Sequence, residues 1–228
     1  MFRIKICGVT SADDAALAAA CGADAVGLNF YPPSPRYLAP EVAPAVAHAL
    51  DEAVAAGRCA RVGLFVNPSH ELLRQTLDAV PLEWLQFHGD EPPELLAEVA
   101  AAFPTLRIIK AFRCGPQGLE PCRAFLAQCR QFGTLPHMVL LDGYQAGQYG
   151  GTGTKADWHL AVQYQAEGGP PLVLAGGLGP ENVADAVAAV KPAAVDTASG
   201  VESSPGVKDP GRVEAFVAAA RRALASLD

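Results

Sequence analysis

Eight short apolar segments recur along the chain, and each is followed by a turn and then by an alanine-rich stretch with helical character. Segments this short that are apolar at nearly every position are typical of strands covered on both faces, as in parallel sheets. Eight strands alternating with about eight helices predict an α/β fold, a closed (β/α)₈ TIM barrel, because closure leaves no exposed sheet edge. A doubly wound open sheet is the alternative. The predicted strands are 3–7, 24–29, 61–66, 83–87, 107–111, 137–142, 171–175 and 193–196.

Helix starts and one helix face can also be assigned. Ser11 through Asp14 reads S-x-x-D, in which the Ser11 hydroxyl can cap the first free backbone N–H groups. Pro40, Pro92 and Pro180 stand near helix starts, where a missing N–H costs nothing. The last helix is expected over 209–226, with an apolar stripe that packs on the sheet. That stripe consists of Val213, Phe216, Val217, Ala220, Leu224 and Leu227.

Composition limits the size of the domain and the class of partner. The 228 residues are 50% hydrophobic and only 18% charged, enough for one large core. No Pro/Ser-rich linker or charge block divides the chain, so we expect a single domain over residues 1–228. The 17 basic and 24 acidic residues give a net charge of −7, which argues against nucleic acid or a membrane surface as partner. A small anion could still be held locally.

The six cysteines show neither a C-x-x-C pair nor a histidine spacing suited to zinc, so we expect reduced thiols and no metal. The first residues lack the pattern of a secretory signal, and no apolar run reaches the roughly 18 residues that span a bilayer. We therefore expect a cytoplasmic location without disulfides.

Active sites of such barrels lie at the carboxyl ends of the strands, so candidate residues are those where each apolar run stops. The segments VLAGGLGPENV (173–183) and AVDTASGV (194–201) follow predicted strands seven and eight, where barrels often bind phosphate. Free backbone N–H groups at helix starts attract anions, and glycine permits their close approach. The full set of candidates is Cys7, Asn29, Asn67, His88, Ala111 with Arg113, Asp142, Gly176 with Gly177, and Asp196 with Ser199 and Gly200.

Asp142 and Cys7 each allow two interpretations. At the rim of a core, desolvation of Asp142 would favour the protonated carboxyl of a general acid, but the same carboxylate could simply cap loop amides. Cys7 could be an inert buried thiol like Cys21, Cys59, Cys122 and Cys129. However, the helix that follows it would lower the thiol pKa and make it a nucleophile or base. The glycine-rich loop after Asp142 could be a mobile lid or a static turn.

An ordered set of motifs resembles the phosphoribosylanthranilate isomerase family of tryptophan biosynthesis. The motifs are KICGVT, GADAVGLNFYPPSPR, LQFHGDE, IIKAF, LLD…GGTGTKADW, LAGGLGPENV and VDTASGVESSPGVKD. They extend from the first strand almost to the last helix. The resemblance implies a (β/α)₈ barrel that catalyses the Amadori rearrangement of N-(5-phosphoribosyl)anthranilate.

The resemblance also implies roles for individual residues. Asp142 would be the general acid that opens the sugar ring, and Cys7 the general base that removes the proton at C2. Arg36 would meet the anthranilate carboxylate, although without the resemblance a solvated loop arginine is the preferred interpretation. Asp196 would approach a ribose hydroxyl. The phosphate would be held by Gly176, Gly177, Ser199 and Gly200.

The implied chemistry needs no cofactor, because the protonated Schiff-base nitrogen is itself an electron sink. The only partner implied is the small-molecule phosphosugar, with the chain a monomer or a homodimer. Gln86 and His88 share one side of their strand and are further pocket candidates, His88 being equally a structural histidine.

Three features depart from the family pattern, and two rival functions remain. Ala156 replaces a common aromatic residue, and the connections GTLPH and DEAVAAGRCA look like surface insertions. One rival is another cofactor-free barrel isomerase or epimerase, which would not need Arg36. The other is a non-catalytic phosphate-binding barrel.

Overall fold

A computed structural model describes residues 1–143 and 158–227 and contains a closed barrel of eight parallel strands, in which each strand pairs with the next and β8 pairs with β1. The strands are β1 (Ile4–Cys7), β2 (Ala25–Asn29), β3 (Arg61–Phe65), β4 (Trp84–Phe87), β5 (Arg107–Cys114), β6 (Met138–Gly143), β7 (Leu172–Leu174) and β8 (Ala194–Thr197). The barrel prediction is confirmed and the open-sheet alternative is wrong. The glycine-rich loop and Ala156, considered above, lie outside the described residues.

Helices cover the outside of the barrel. They are α1 (Ala12–Ala20), α2 (Ala43–His48), α3 (Asp51–Ala55), α4 (His70–Ala79), α5 (Pro93–Ala102), α6 (Glu120–Gln131), α7 (Trp158–Glu167), α8 (Val183–Val190) and α9 (Pro210–Ala225). Ser11 caps α1, since its hydroxyl accepts a hydrogen bond from the Asp14 backbone N–H at 3.1 Å. The connection DEAVAAGRCA contains α3 rather than only loop. Within the described part of the chain, no helix is long and apolar enough to cross a membrane.

Side chains alternate between two cores, as a barrel requires. On β1, Ile4 and Ile6 pack outward against the helices, whereas Lys5 and Cys7 occupy the alternate positions that face inward. On β4, Trp84 joins the inner core and Leu85 the outer one. Small and large apolar residues fill the inner core toward the amino ends of the strands. Polar inward positions are therefore concentrated toward the carboxyl ends.

Two features differ from the sequence predictions. Strand β5 continues to Cys114 instead of ending at 111, so Ala111 and Arg113 lie within the strand, paired to β6. After β8, a short 3₁₀ turn (Ser199–Val201) leads into an antiparallel hairpin of β9 (Glu202–Ser204) and β10 (Val207–Lys208). The hairpin was not predicted, because two strands of two or three mostly polar residues leave no apolar pattern.

Candidate active site

A narrow pocket, partly open to solvent, lies at the carboxyl ends of the strands. Its lining brings together most of the predicted residues even though they come from six different strands or the loops that follow them. They are Cys7, Asn29, Arg36, Gln86, His88, Asp142, Gly176, Gly177, Asp196 and Ser199.

Four other candidates do not line this pocket. Asn67 instead accepts a hydrogen bond from the Asp90 backbone through its side-chain oxygen, which fixes a neighbouring loop. Ala111 and Arg113 line a separate surface depression beside β5. Gly200 sits behind the lining in the 3₁₀ turn, where it packs against the backbone of the loop after β7.

Cys7 is 6% exposed and lies above a buried ion pair at the end of β1. The amino group of Lys5, two residues earlier and wholly buried, donates to Asp196 Oδ1 at 2.9 Å. Lys5 and Asp196 are register partners on β1 and β8, which explains how they meet. Gly27 on β2 makes room for the thiol, since a Cβ there would lie 2.7 Å from Cys7 Sγ. The Cys7 thiol and the Asp196 carboxylate therefore line the same part of the pocket, with the Lys5 amino group buried beside them.

The expectation of a lowered thiol pKa at Cys7 is wrong. Burial raises the pKa of this thiol, and the positive charges of Lys5 and Lys208 oppose that effect only in part. Helix α1 begins at Ala12, with Ser11 as its N-cap, so four residues separate the thiol from the start of the helix. The pKa of Lys5 is also shifted by its neighbours. Burial alone would lower the pKa of its amino group, but Asp196 and Cys7 hold that pKa above its ordinary value.

Asp142 lies one residue before the end of β6, on the far side of the pocket, and its two carboxyl oxygens have different surroundings. Oδ1 accepts a hydrogen bond from the Gly143 backbone at 2.8 Å, while Oδ2 lies 3.3 Å from His88 Nε2. Gln86 Nε2 is 2.9 Å from His88 Nδ1. With the Gln86 amide in this orientation, its nitrogen donates to Nδ1, which assigns the ring proton to the nitrogen that faces Asp142. Asp142 therefore both binds a loop amide and faces into the pocket.

Two buried polar atoms beside Asp142 lack hydrogen-bond partners among the described residues. They are Gln86 Oε1 and His88 Nε2. Buried polar groups are normally paired, so unpaired ones at the wall of a pocket are expected where a ligand completes them. His88 had been treated as equally a structural residue; its position next to Asp142 places it at the site.

Arg36 is 7% exposed, so the interpretation as a solvated loop arginine is wrong. Its Nε and Nη2 atoms donate to the two oxygens of Glu202, each at 2.7 Å. Its side chain crosses Gly8, where a Cβ would lie 2.4 Å from Arg36 Cδ. The guanidinium is therefore held at the pocket wall, next to the Cys7 loop.

The loops after β7 and β8 form one joined surface. The Thr197 hydroxyl donates to the Leu178 carbonyl at 2.6 Å, and Asn182 Nδ2 donates to the Gly177 carbonyl at 2.9 Å. Within residues 1–143 and 158–227, the backbone N–H groups of Gly177, Ser199 and Gly200 find no acceptor. Unpaired backbone N–H groups on one surface are the type of group that can hold an anion.

Three charged residues next to the site were not found from the sequence, namely Lys5, Glu202 and Lys208. A signal was present for Lys5: it stands between Ile4 and Ile6, whose side chains must face the helices, so the lysine must face the barrel interior. Glu202 and Lys208 lie in a polar segment that resembles an ordinary surface loop.

Known proteins resemble this chain in both sequence and structure. The family model PRAI, N-(5′phosphoribosyl)anthranilate (PRA) isomerase, matches residues 4–219. The isomerase of that name from Ralstonia nicotianae is 45% identical over 99% of this chain and 95% of its own length. The crystal structure of phosphoribosyl anthranilate isomerase from Thermotoga maritima has a TM-score of 0.80 at 37% identity, covering 97% of this chain and 100% of that one. A related crystal structure at 36% identity contains reduced 1-(o-carboxyphenylamino)-1-deoxyribulose 5-phosphate, with a TM-score of 0.78 and coverage of 97% and 100%.

Proposed function

The chain belongs to the N-(5′-phosphoribosyl)anthranilate isomerase family of tryptophan biosynthesis, and on this premise we propose that it uses Asp142 as general acid and Cys7 as general base in the Amadori rearrangement of N-(5-phosphoribosyl)anthranilate. The observation that carries the assignment is that both residues line one pocket from nearly opposite sides of the barrel. An acid and a base on opposite sides of a sugar suit a reaction that protonates a ring oxygen and removes a carbon-bound proton.

Ring opening is the first step. A protonated Asp142 carboxyl donates to the furanose oxygen, the ring C–O bond at C1 breaks, and the nitrogen lone pair forms a protonated Schiff base. His88 supports this step, since its Nε2 proton faces the Asp142 oxygen that becomes charged. Asp142 ends the step as a carboxylate.

Proton transfer from carbon is the second step. The Cys7 thiolate takes the proton from C2, and the electron pair moves to the Schiff-base nitrogen to give an enolamine. Lys5 stabilises the thiolate, and the cationic Schiff base does so as well. The enolamine becomes the ketone when C1 gains a proton from the thiol and the O2 hydroxyl loses one to the Asp142 carboxylate, which restores both groups.

Three anchors position the substrate in this proposal. Arg36 binds the anthranilate carboxylate through a guanidinium nitrogen that Glu202 leaves available. The phosphate binds the free N–H groups of Gly177, Ser199 and Gly200, with Gly176 beside them. Asp196, which offers Oδ1 to Lys5, uses Oδ2 for a ribose hydroxyl.

The test is to mix the purified chain with freshly generated N-(5-phosphoribosyl)anthranilate in a chelating buffer and follow the loss of anthranilate-type fluorescence. Rapid loss with formation of the deoxyribulose product is the expected result. If the fluorescence does not fall while phosphosugars still bind, the proposed reaction is contradicted. The chain would then be an isomerase of another phosphosugar or a barrel that binds phosphosugars without catalysis.

A further inference from the structure

The hairpin β9–β10 lies immediately outside the pocket wall and carries a buried carboxylate and a buried ammonium. Glu202 is 7% and Lys208 3% exposed, and neither lines the pocket. Buried charges are costly unless they are paired, so their partners indicate what they do there.

Glu202 receives two parallel hydrogen bonds from Arg36. They leave from Nε and Nη2 at 2.7 Å each, which is the fork geometry that fixes a guanidinium in its own plane. The third nitrogen, Nη1, has no hydrogen-bond partner in the part of the chain that the structure describes. Glu202 therefore decides which edge of the guanidinium remains for a ligand in the pocket.

Lys208 connects Glu202 to the segment that carries the proposed base. Its amino group donates to Glu202 Oε1 at 2.8 Å, to the Cys7 carbonyl at 2.7 Å and to the Ala198 carbonyl at 3.2 Å. All three ammonium protons are thus used. The Glu202 carboxylate therefore sits between the Arg36 guanidinium and the Lys208 amino group.

The charges in this cluster are set by the neighbours. Burial alone would raise the pKa of Glu202, but Arg36 and Lys208 outweigh it and hold that pKa below its ordinary value. For Arg36, the loss of solvent is likewise outweighed by Glu202, and the pKa of its guanidinium is raised. Glu202 is therefore ionised at neutral pH and Arg36 is a cation.

The hairpin is itself held against the loops after β1 and β2. The Thr10 hydroxyl donates to the Gly206 carbonyl at 2.7 Å, and the Lys208 backbone N–H donates to Asp14 at 3.2 Å. A Cβ on Gly206, at φ +84°, would lie 3.0 Å from the Pro35 carbonyl. The hairpin consequently has little freedom to move relative to Arg36 or Cys7.

We propose that Glu202 is a positioning residue that fixes the Arg36 guanidinium for a carboxylate in the ortho position of the substrate's aromatic ring, so that the β9–β10 hairpin sets this specificity from outside the pocket. The proposal rests on the assignment of Arg36 under the proposed function. In this proposal, Glu202 orients the Arg36 guanidinium and does not itself contact the substrate. Since Glu202 is anionic, it weakens the attraction of the pocket for anions in general.

The experiment measures Kd for three reduced product analogues that carry an ortho carboxyl, a meta carboxyl or no carboxyl on the phenyl ring. The variants are the native chain, Glu202→Gln and Glu91→Gln. Glu91 is the matched control, because it is equally buried and binds the buried Lys110 at 2.8 Å but does not line the pocket. Both variants remove a buried carboxylate. Only Glu202→Gln also removes the carboxylate that binds Arg36.

The native chain is expected to prefer the ortho over the meta analogue by about tenfold or more, as for a fixed charge-assisted contact. Glu202→Gln should reduce this ratio to about threefold or less, even if its affinity for both anions rises. Glu91→Gln should keep the native ratio. If Glu202→Gln keeps it too, the proposal is overturned.

Two further outcomes are informative. A native chain that does not distinguish the ortho analogue from the one without a carboxyl contradicts the role of Arg36, which is a failure of the proposed function and not of the geometry at Glu202. If Glu202→Gln does not fold, the preference for the ortho over the meta analogue is measured in Glu202→Asp instead. The aspartate side chain stays charged but is too short to bind both guanidinium nitrogens. A native ratio there overturns the proposal.

Discussion

His88 Nε2 lies 3.3 Å from Asp142 Oδ2. His88 follows β4 and Asp142 lies near the end of β6, so the two side chains meet over the intervening strand β5. The histidine is oriented from behind by Gln86, whose Nε2 is 2.9 Å from Nδ1. This arrangement directs an N–H toward the oxygen that gains negative charge when Asp142 gives up its proton. The side chains of Gln86, His88 and Asp142 thus lie in a row that ends at the proposed acid.

Replacing His88 by leucine should lower kcat by roughly tenfold to a hundredfold, the usual effect of losing a hydrogen bond to a developing charge. Binding of the reduced product analogue should weaken as well, because a ligand is expected to complete the unpaired Nε2 of His88. The matched control is His70→Leu on the exposed face of α4, which should retain native kcat. A native kcat in His88→Leu would show that the histidine only fills space.

The pH dependence of kcat/KM tests Cys7. Burial raises the pKa of its thiol above the ordinary value of 9.0, and a raised pKa moves formation of the thiolate to higher pH. If the thiolate is the base, kcat/KM of the free enzyme should rise toward and beyond about pH 9. In Cys7→Asp, whose carboxyl has an ordinary pKa of about 3.9, that alkaline rise should vanish. The same rise in both proteins would exclude Cys7 as its origin.

Breaking the buried ion pair between Lys5 and Asp196 should lower the free energy of unfolding strongly. Lys5→Met leaves the Asp196 carboxylate buried without its cation, which should cost about 3 to 5 kcal/mol in the free energy of unfolding measured in urea. Adding Asp196→Asn should recover part of this loss. Arg74→Met, at an exposed ion pair on α4, should leave the urea midpoint almost unchanged. A double variant no more stable than Lys5→Met would contradict the pairing.

Gly200 should not tolerate a side chain. A Cβ there would lie 1.9 Å from the Leu178 carbonyl oxygen, so the loops after β7 and β8 would have to separate. Gly200→Ala should weaken binding of the reduced product analogue by roughly tenfold, in line with the cost of overpacking. Gly211→Ala is the control, since a Cβ at that position in α9 comes no closer than 3.5 Å to another atom. Native affinity in Gly200→Ala would argue against a phosphate site at this turn.

The barrel could be predicted because its strands are covered on both faces and so appear as apolar runs separated by turns. The site could be located in outline, since parallel strands bring their carboxyl ends to one end of the barrel. The charge partners could not be predicted. Lys5 and Asp196 are 191 residues apart in sequence, and Arg36 and Glu202 are 166 apart. Such pairs depend on closure of the barrel and leave no local pattern.

The thiol pKa at Cys7 was mispredicted for a related reason. Sequence proximity to α1 suggested the helix dipole, which acts only within about one turn of the helix end. Burial depends on how neighbouring strands such as β2 pack around the thiol, and it is the largest cause of the raised pKa. Exposure is a property of the packed fold, so the direction of this pKa shift follows only from the structure.

The proposed reaction depends first on Asp142, which supplies the proton that opens the sugar ring. The most direct measurement is the single-turnover rate of Asp142→Asn with N-(5-phosphoribosyl)anthranilate, together with Kd for the reduced product analogue. Asp90→Asn, at an exposed carboxyl near the same end of the barrel, is the matched control. We predict a rate about 10² to 10⁴ times lower in Asp142→Asn, with Kd within about threefold of native and Asp90→Asn unaffected. A single-turnover rate close to native in Asp142→Asn would contradict the assignment of the acid.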